Sequence, residues 1–131
     1  MSETVTIILR LPNPMLSPNM PVFSVRGRMA RAAMSKKYRR EACESTLACN
    51  VQTGPWPKAE LQATFYHKQN RRRDGVNYNQ MLKAAQDGVV DAGLVIDDDA
   101  EHLSTLPPKF EIDKKFPRVE ITVTRKEGDA R

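Results

Sequence analysis

Cysteine is scarce in this chain: only Cys43 and Cys49 occur, six positions apart, alongside two histidines. That excludes a disulfide framework and leaves no clustered Cys/His spacing for a zinc site. Both thiols are expected to be buried or half-buried in a reducing compartment. Long apolar runs are missing too, since none approaches the roughly 20 residues of a membrane span. The N-terminus has no charged start followed by an apolar centre, so the expected location is cytoplasmic and away from membranes. Internal repeats and Gly/Ser-rich linkers are absent, so the 131 residues are expected to form one domain over 1–131, with 126–131 a frayed tail. Acids are lacking where bases are dense. Between Ser24 and Arg40 there are seven basic residues, Arg26, Arg28, Arg31, Lys36, Lys37, Arg39 and Arg40, and no acid. Lys68 and Arg71, Arg72 and Arg73 form a second basic cluster. This distribution, more than the net charge of +5, points to a polyanionic partner.

The stretch from Arg71 to His102 carries the chemistry. Tyr78, Met81, Leu82, Ala85, Val89 and Ala92 recur at three- and four-residue steps and predict one helix over 77–92, capped by Asn77 and stopped by a left-handed Gly93. Gln80, Lys83 and Asp87 lie on the opposite face. Lys83 and Asp87 are four apart, and the plain reading is a surface ion pair of about 0.3–0.5 kcal/mol. After the helix, the apolar run 93–96 leads into Asp97, Asp98 and Asp99. Most short acidic runs are solvated loops, but carboxylates at the end of a buried segment are held. Crowding them is costly unless a cation neutralises them, and all-oxygen ligands favour Mg²⁺ or Mn²⁺.

The rest of the chain reads as strands around two helices. Val5, Ile7 and Leu9 alternate with polar positions, and Pro12, Pro14 and Pro18 end that strand. A helix is expected from about 27 to 50, with Met29, Ala33, Tyr38, Ala42 and Leu47 inward and the basic residues outward. Leu61, Ala63 and Phe65 mark a second strand, with His67 at its end an exposed or hydrogen-bonded side chain. A weaker strand over 102–106 meets Pro107 and Pro108, and a run at 110–112 resumes it. Val119, Ile121 and Val123 mark the last strand. The expected fold is a small single α+β domain with about four strands in a mixed sheet and two main helices.

An ordered set of residues within this frame resembles the RusA-type Holliday-junction resolvases of bacteria and their phages. It comprises the opening Leu11-Pro-Asn-Pro-Met-Leu-Ser-Pro-Asn19, the basic helix with Lys37-Tyr38-Arg39, Arg72-Arg73-Asp74, Lys83-Ala84-Ala85, Asp87-Gly88, Asp91-Ala92-Gly93 and Asp97-Asp98. The resemblance implies a RusA-like fold and a homodimeric, Mg²⁺-dependent endonuclease that cuts four-way DNA junctions, with Mn²⁺ an alternative metal. Position by position it implies Asp74 and Asp98 as essential carboxylates and metal ligands, Asp97 as the neighbouring ligand, and Lys83 as an active-site lysine. Arg71, Arg72, Arg73, Lys68, Asn19 and the basic residues from Arg26 to Arg40 would contact DNA.

One departure bears on activity. Where the family reads Asp-x-Asp-Asn, this chain reads Asp74-Gly-Val76-Asn77, so Val76 replaces an aspartate, and Asn77, Asp97 or Asp99 would have to compensate. Two readings follow: an active metal-dependent nuclease, and a junction-binding protein whose cleavage is impaired or lost. Geometry sets a condition on the first. A helix over 77–92 is about 24 Å long, while 93–98 spans at most roughly 20 Å. Either that segment doubles back along the helix, or acids from two subunits meet.

Overall fold

The computed structural model describes residues 3–17, 20–69 and 75–126, without the side chains of 75 and 76. Its elements in order are β1 (Thr4–Leu9), a 3-10 turn (Pro14–Leu16), α1 (Val25–Ala48), β2 (Ala59–His67), α2 (Gly75–Met81), α3 (Lys83–Asp91), β3 (Leu103–Thr105), β4 (Lys109–Ile112) and β5 (Arg118–Arg125). β5 lies between β1 and β2 and is antiparallel to both, with Ile121 opposite Ile7 on one side and Ala63 on the other. The outer edge of β2 pairs in parallel with β3 near its start and β4 near its end. The domain is therefore α+β with a mixed sheet, of five strands rather than about four, because Pro107 and Pro108 divide the third expected strand into two short ones.

Alternation along the strands decides which sheet face is covered. Val5, Ile7 and Leu9 of β1, Leu61, Ala63 and Phe65 of β2, and Val119, Ile121 and Val123 of β5 are all buried. They form one core with Tyr38 and Ala42 of α1 and Ala85 and Val89 of α3. Such burial, about 25 cal/mol per Å² of apolar surface, is the main force holding the helices on that face.

α1 begins where Ser24 accepts the Gly27 N–H through its hydroxyl at 2.9 Å, a side-chain cap on an otherwise orphaned donor. Its inner face differs from the expected one. Tyr38, Ala42 and Thr46 are buried, whereas Met29 and Leu47 are 67% and 58% exposed and Ala33 is also exposed. The orientation is fixed where α1 crosses α3 at Gly88. A Cβ there would lie 2.2 Å from the Arg39 carbonyl oxygen and 2.8 Å from the Ala42 Cβ, so only glycine permits the approach. Cys43 is half-buried, as expected, but Cys49 is exposed.

The single helix over 77–92 is two. It starts at Gly75, so Asn77 lies inside the first turns rather than capping them. The break is at Leu82, whose N–H bonds to the Asn79 carbonyl at 3.1 Å, a three-residue closure that tightens the turn. The buried Leu82 side chain still continues the apolar stripe. Gly93, at φ +84°, ends α3 in the left-handed region as expected. Leu94 and Val95 are then buried, pinned by Trp56 N–H to the Leu94 carbonyl (2.7 Å) and Ile96 N–H to the Trp56 carbonyl (3.1 Å). Among the described residues, no helix is long and apolar enough to cross a membrane.

Candidate functional site

The reversal at Gly93 sends the chain back along α3 and brings Asp98 to Lys83, the first residue of that helix. The segment after α3 thus doubles back along that helix, while Asp74, the other acid of the expectation, lies outside the described residues. The Lys83 ammonium donates to Asp98 Oδ2 and, at 2.9 Å, to Asp87 Oδ1. The i,i+4 pair therefore exists, but as one arm of a bridge between α3 and the loop after it. On the other side, Arg39 of α1 donates from Nε and NH2 to the two carboxylate oxygens of Asp91 at 2.6 and 2.8 Å, and its NH1 lies 3.8 Å from Asp87. Three carboxylates, spaced 87, 91 and 98, are thus laced to two cations from different helices.

These contacts set the titration of the group. The Lys83 ammonium holds the Asp98 carboxyl below the usual aspartate range, and Asp98, then Asp87, push Lys83 above the usual lysine value. The Arg39 guanidinium likewise holds Asp91 low. Around neutral pH Asp98 is therefore anionic and Lys83 cationic.

Asp97 adds a carboxylate beside this group, its Oδ1 accepting the Asp98 N–H at 2.7 Å. The donors are all carboxylate oxygens, and the Lys83 ammonium already stands between two of them, a place where positive charge is stabilised. That chemistry fits a hard divalent cation such as Mg²⁺ or Mn²⁺. Asp98 and Asp97 would hold it.

A second group, Asp99, Glu101 and His102, has ligand atoms that all lie within 4.8 Å of one another. Asp99 Oδ1 accepts the backbone N–H groups of Glu101 and His102 at 3.1 and 3.0 Å and sits 2.7 Å from His102 Nδ1. The His102 hydrogen bond also holds the Asp99 carboxyl low. This is an exposed turn closed on itself, with mixed nitrogen and oxygen donors.

The basic residues of α1 divide into two sets. Arg39 is bound to acids, Arg31 donates to the Met20 carbonyl, and Arg28 donates to the Phe23 carbonyl at 3.5 Å. Arg26, Lys36, Lys37 and Arg40 are exposed, and at about 100° per residue they share an arc of about 100° on the helix. Lys68 is exposed beyond the end of β2. Arg71, Arg72, Arg73, Asp74 and Asn19, with the side chain of Val76, lie outside the described residues. Asn77 lines a cleft of about 940 Å³ formed with the loop after β1, α1, His67 and α2.

Sequence reasoning did not find the Arg39–Asp91 and Arg39–Asp87 contacts. No local pattern marks them, since residues 39 and 87–91 meet only through the packing of α1 on α3. It did not find the cleft either, since its walls come from four separate parts of the chain. In comparison with known families and characterised proteins, the sequence matches no family model and no curated protein.

Proposed function

We propose that this protein is a metal-dependent endonuclease acting on branched DNA, as a homodimer whose two sites address the paired cutting points of a four-way junction. The observation that carries the reading is the meeting of Lys83 with Asp98 across 15 residues of sequence, in a chain whose ordered motifs resemble those of junction resolvases. A surface ion pair at i,i+4 needs no third partner, whereas an ammonium beside held carboxylates is one arrangement that stabilises the charge building on a transferring phosphoryl group.

Bound Mg²⁺ supplies neutralisation of the scissile phosphate and a lowered pKa for its water. Asp98 and Asp97, with Asp74 as the resemblance implies, would hold the ion. Lys83 places its ammonium on a phosphate oxygen and stabilises the charge that builds there as water attacks phosphorus and a P–O bond breaks. Arg26, Lys36, Lys37, Arg40 and Lys68 hold flanking phosphates, contacts that carry little base information and suit recognition of a branched shape. Asn77 stands at the edge of the cleft beside this surface.

A second reading is favoured by Val76: with an apolar residue in place of an aspartate, the protein binds junctions and cuts poorly. One experiment covers both. Wild type, Asp98→Asn and Val76→Asp are compared on a four-way junction and on linear duplex, by gel shift over a salt series and by cleavage in Mg²⁺ and Mn²⁺. The nuclease reading expects junction-selective binding by all three, cleavage by wild type favouring Mn²⁺, and none by Asp98→Asn. Val76→Asp should raise Mg²⁺-dependent cutting at least about tenfold, or roughly 1.4 kcal/mol. Junction binding with no cutting in either metal by any variant replaces it with the binding reading, and equal affinity for junction and duplex removes both.

A further inference from the structure

The cleft beside Asn77 has a volume of about 940 Å³, within the range of about 300–1,000 Å³ typical of small-molecule sites. One wall is a single row of α1, Met34, Lys37, Tyr38 and Glu41, spaced at the three- and four-residue steps that share a helix face. The facing wall is α2 with Asn77, Tyr78 and Met81, completed by His67 from the end of β2. The first wall is braced: Tyr38 donates its hydroxyl to the Arg10 carbonyl at 2.8 Å, and Arg10 is paired through two nitrogens with Glu41.

The rings on the facing wall are also fixed. His67 stacks on Phe65 and Phe110 at 6.2 and 6.3 Å, and Tyr78 stands edge-on to Phe65, Phe110 and His67 at 4.8, 5.2 and 5.5 Å. Rings held this way present flat apolar surface at little further entropic cost. Arg10 and Glu41, which also line the cleft, are paired with each other, which leaves Lys37 as the lining cation outside that pair. Lys37 lines the cleft and also borders the exposed arc of Arg26, Lys36 and Arg40, so the basic face of α1 runs directly to the opening. A planar apolar group attached to an anion fits these features, its ring between Tyr78, His67 and the methionines and its phosphate on Lys37. Asn13, whose Oδ1 accepts the Met15 N–H at 2.9 Å, also lines the cleft.

We infer that this cleft is a stacking pocket for an unpaired nucleobase of the DNA, held with its phosphate at Lys37. The inference rests on the DNA reading above and adds a substrate feature to it. α2 lines the cleft and ends two residues before Lys83, so a base drawn from the branch point into the pocket positions the adjoining strand for that site. Stacking on aromatic side chains tolerates any base, which agrees with a cleft to which Tyr38, His67 and Tyr78 all contribute rings.

The test is an amide NMR titration of the full-length protein with each of the four deoxynucleoside 5′-monophosphates and with deoxyribose 5-phosphate. Saturable shifts are expected at Lys37, Tyr38, Asn77 and Tyr78, with the nucleotides binding at least tenfold more tightly than the sugar phosphate. Met34→Trp, which fills the cleft, should weaken nucleotide binding at least tenfold, while Met29→Trp on the exposed face of α1 should not. Equal binding of nucleotide and sugar phosphate, or shifts unaffected by Met34→Trp in a protein with a native-like spectrum, overturns the pocket. A junction gel shift run in parallel separates the two claims. Junction binding without nucleotide binding removes the pocket alone, and nucleotide binding in the cleft without junction binding supports the pocket and removes the branched-DNA reading.

Discussion

Two acidic groups, one in the turn after α3 and one spanning α3 and the loop that follows it, differ in what holds them. Asp99, Glu101 and His102 meet because they are near neighbours in a turn, and every contact Asp99 makes among them is within three residues. Asp87, Asp91 and Asp98 meet because α1, α3 and the returning loop are packed together, and their cations come from positions 39 and 83. The first group is a product of local chain geometry and would survive loosening of the fold. The second exists only if the helices cross at Gly88 and the chain reverses at Gly93. Acids maintained by tertiary structure and neutralised by matched cations are the better candidates for chemistry, since their proximity costs free energy that the fold must offset.

The comparison is broken most severely at the helix crossing. Gly88→Ala drives a Cβ into the Arg39 backbone and should destabilise by about 3 kcal/mol, a fall of about 10 °C in the thermal midpoint. Gly93→Ala, whose Cβ meets nothing within 4 Å, carries only the left-handed penalty of about 1 kcal/mol. Thermal unfolding of the two variants checks the order, and a Gly88→Ala protein as stable as Gly93→Ala would mean the crossing is not tight.

The next effect is on cleavage. Asp98→Asn should lower Mg²⁺-dependent junction cutting at least about 100-fold, or roughly 2.7 kcal/mol, while Asp99→Asn stays within about twofold of wild type. Equal losses would merge the two groups into one site. Lys83→Ala should reduce kcat at least about tenfold with KM little changed, because an ammonium that stabilises developing charge acts in the transition state. A rate equal to wild type would leave Lys83 as a surface ion pair alone.

Much of the scaffold is readable in the sequence because strands advertise their buried face at every second residue. Val5, Ile7 and Leu9, then Val119, Ile121 and Val123, are buried as the alternation expects. α1 is harder. Its apolar residues are spread around the helix, so Met29 and Leu47 point outward while the inner face is chosen by the glycine crossing and by Tyr38 reaching the Arg10 carbonyl. The break at Leu82 leaves no local mark either, since the apolar stripe runs straight through it. At the candidate site, Gly93 signalled the reversal that brings Asp98 to Lys83. The Arg39–Asp91 pair joins residues 52 apart and depends on helix packing that no local pattern encodes.

The smallest effect distinguishes the groups by titration. Asp98 is held low chiefly by Lys83 and Asp99 chiefly by His102, so each depression should lessen when its own partner is removed. In a carboxyl-carbon NMR titration, Lys83→Met should return Asp98 toward the ordinary aspartate value of about 3.9 and leave Asp99 low, while His102→Gln should do the reverse. The stability consequence follows from the signs. A carboxyl whose pKa is lower folded than unfolded stabilises the fold above its unfolded value, and that contribution is lost as pH falls through the folded value. Lys83, raised by Asp98 and Asp87, contributes below the ordinary lysine value of about 10.4 and loses its contribution as pH rises through its folded value. The thermal midpoints of wild type and Lys83→Met should therefore differ most between about pH 5 and pH 10 and converge outside that window. Because the Lys83 side chain is 62% exposed, solvent screens much of the interaction, so the gap should be small and shrink further in high salt. A gap that persists undiminished at pH 2 would mean that Lys83 stabilises the fold through the packing of its stem rather than through Asp98.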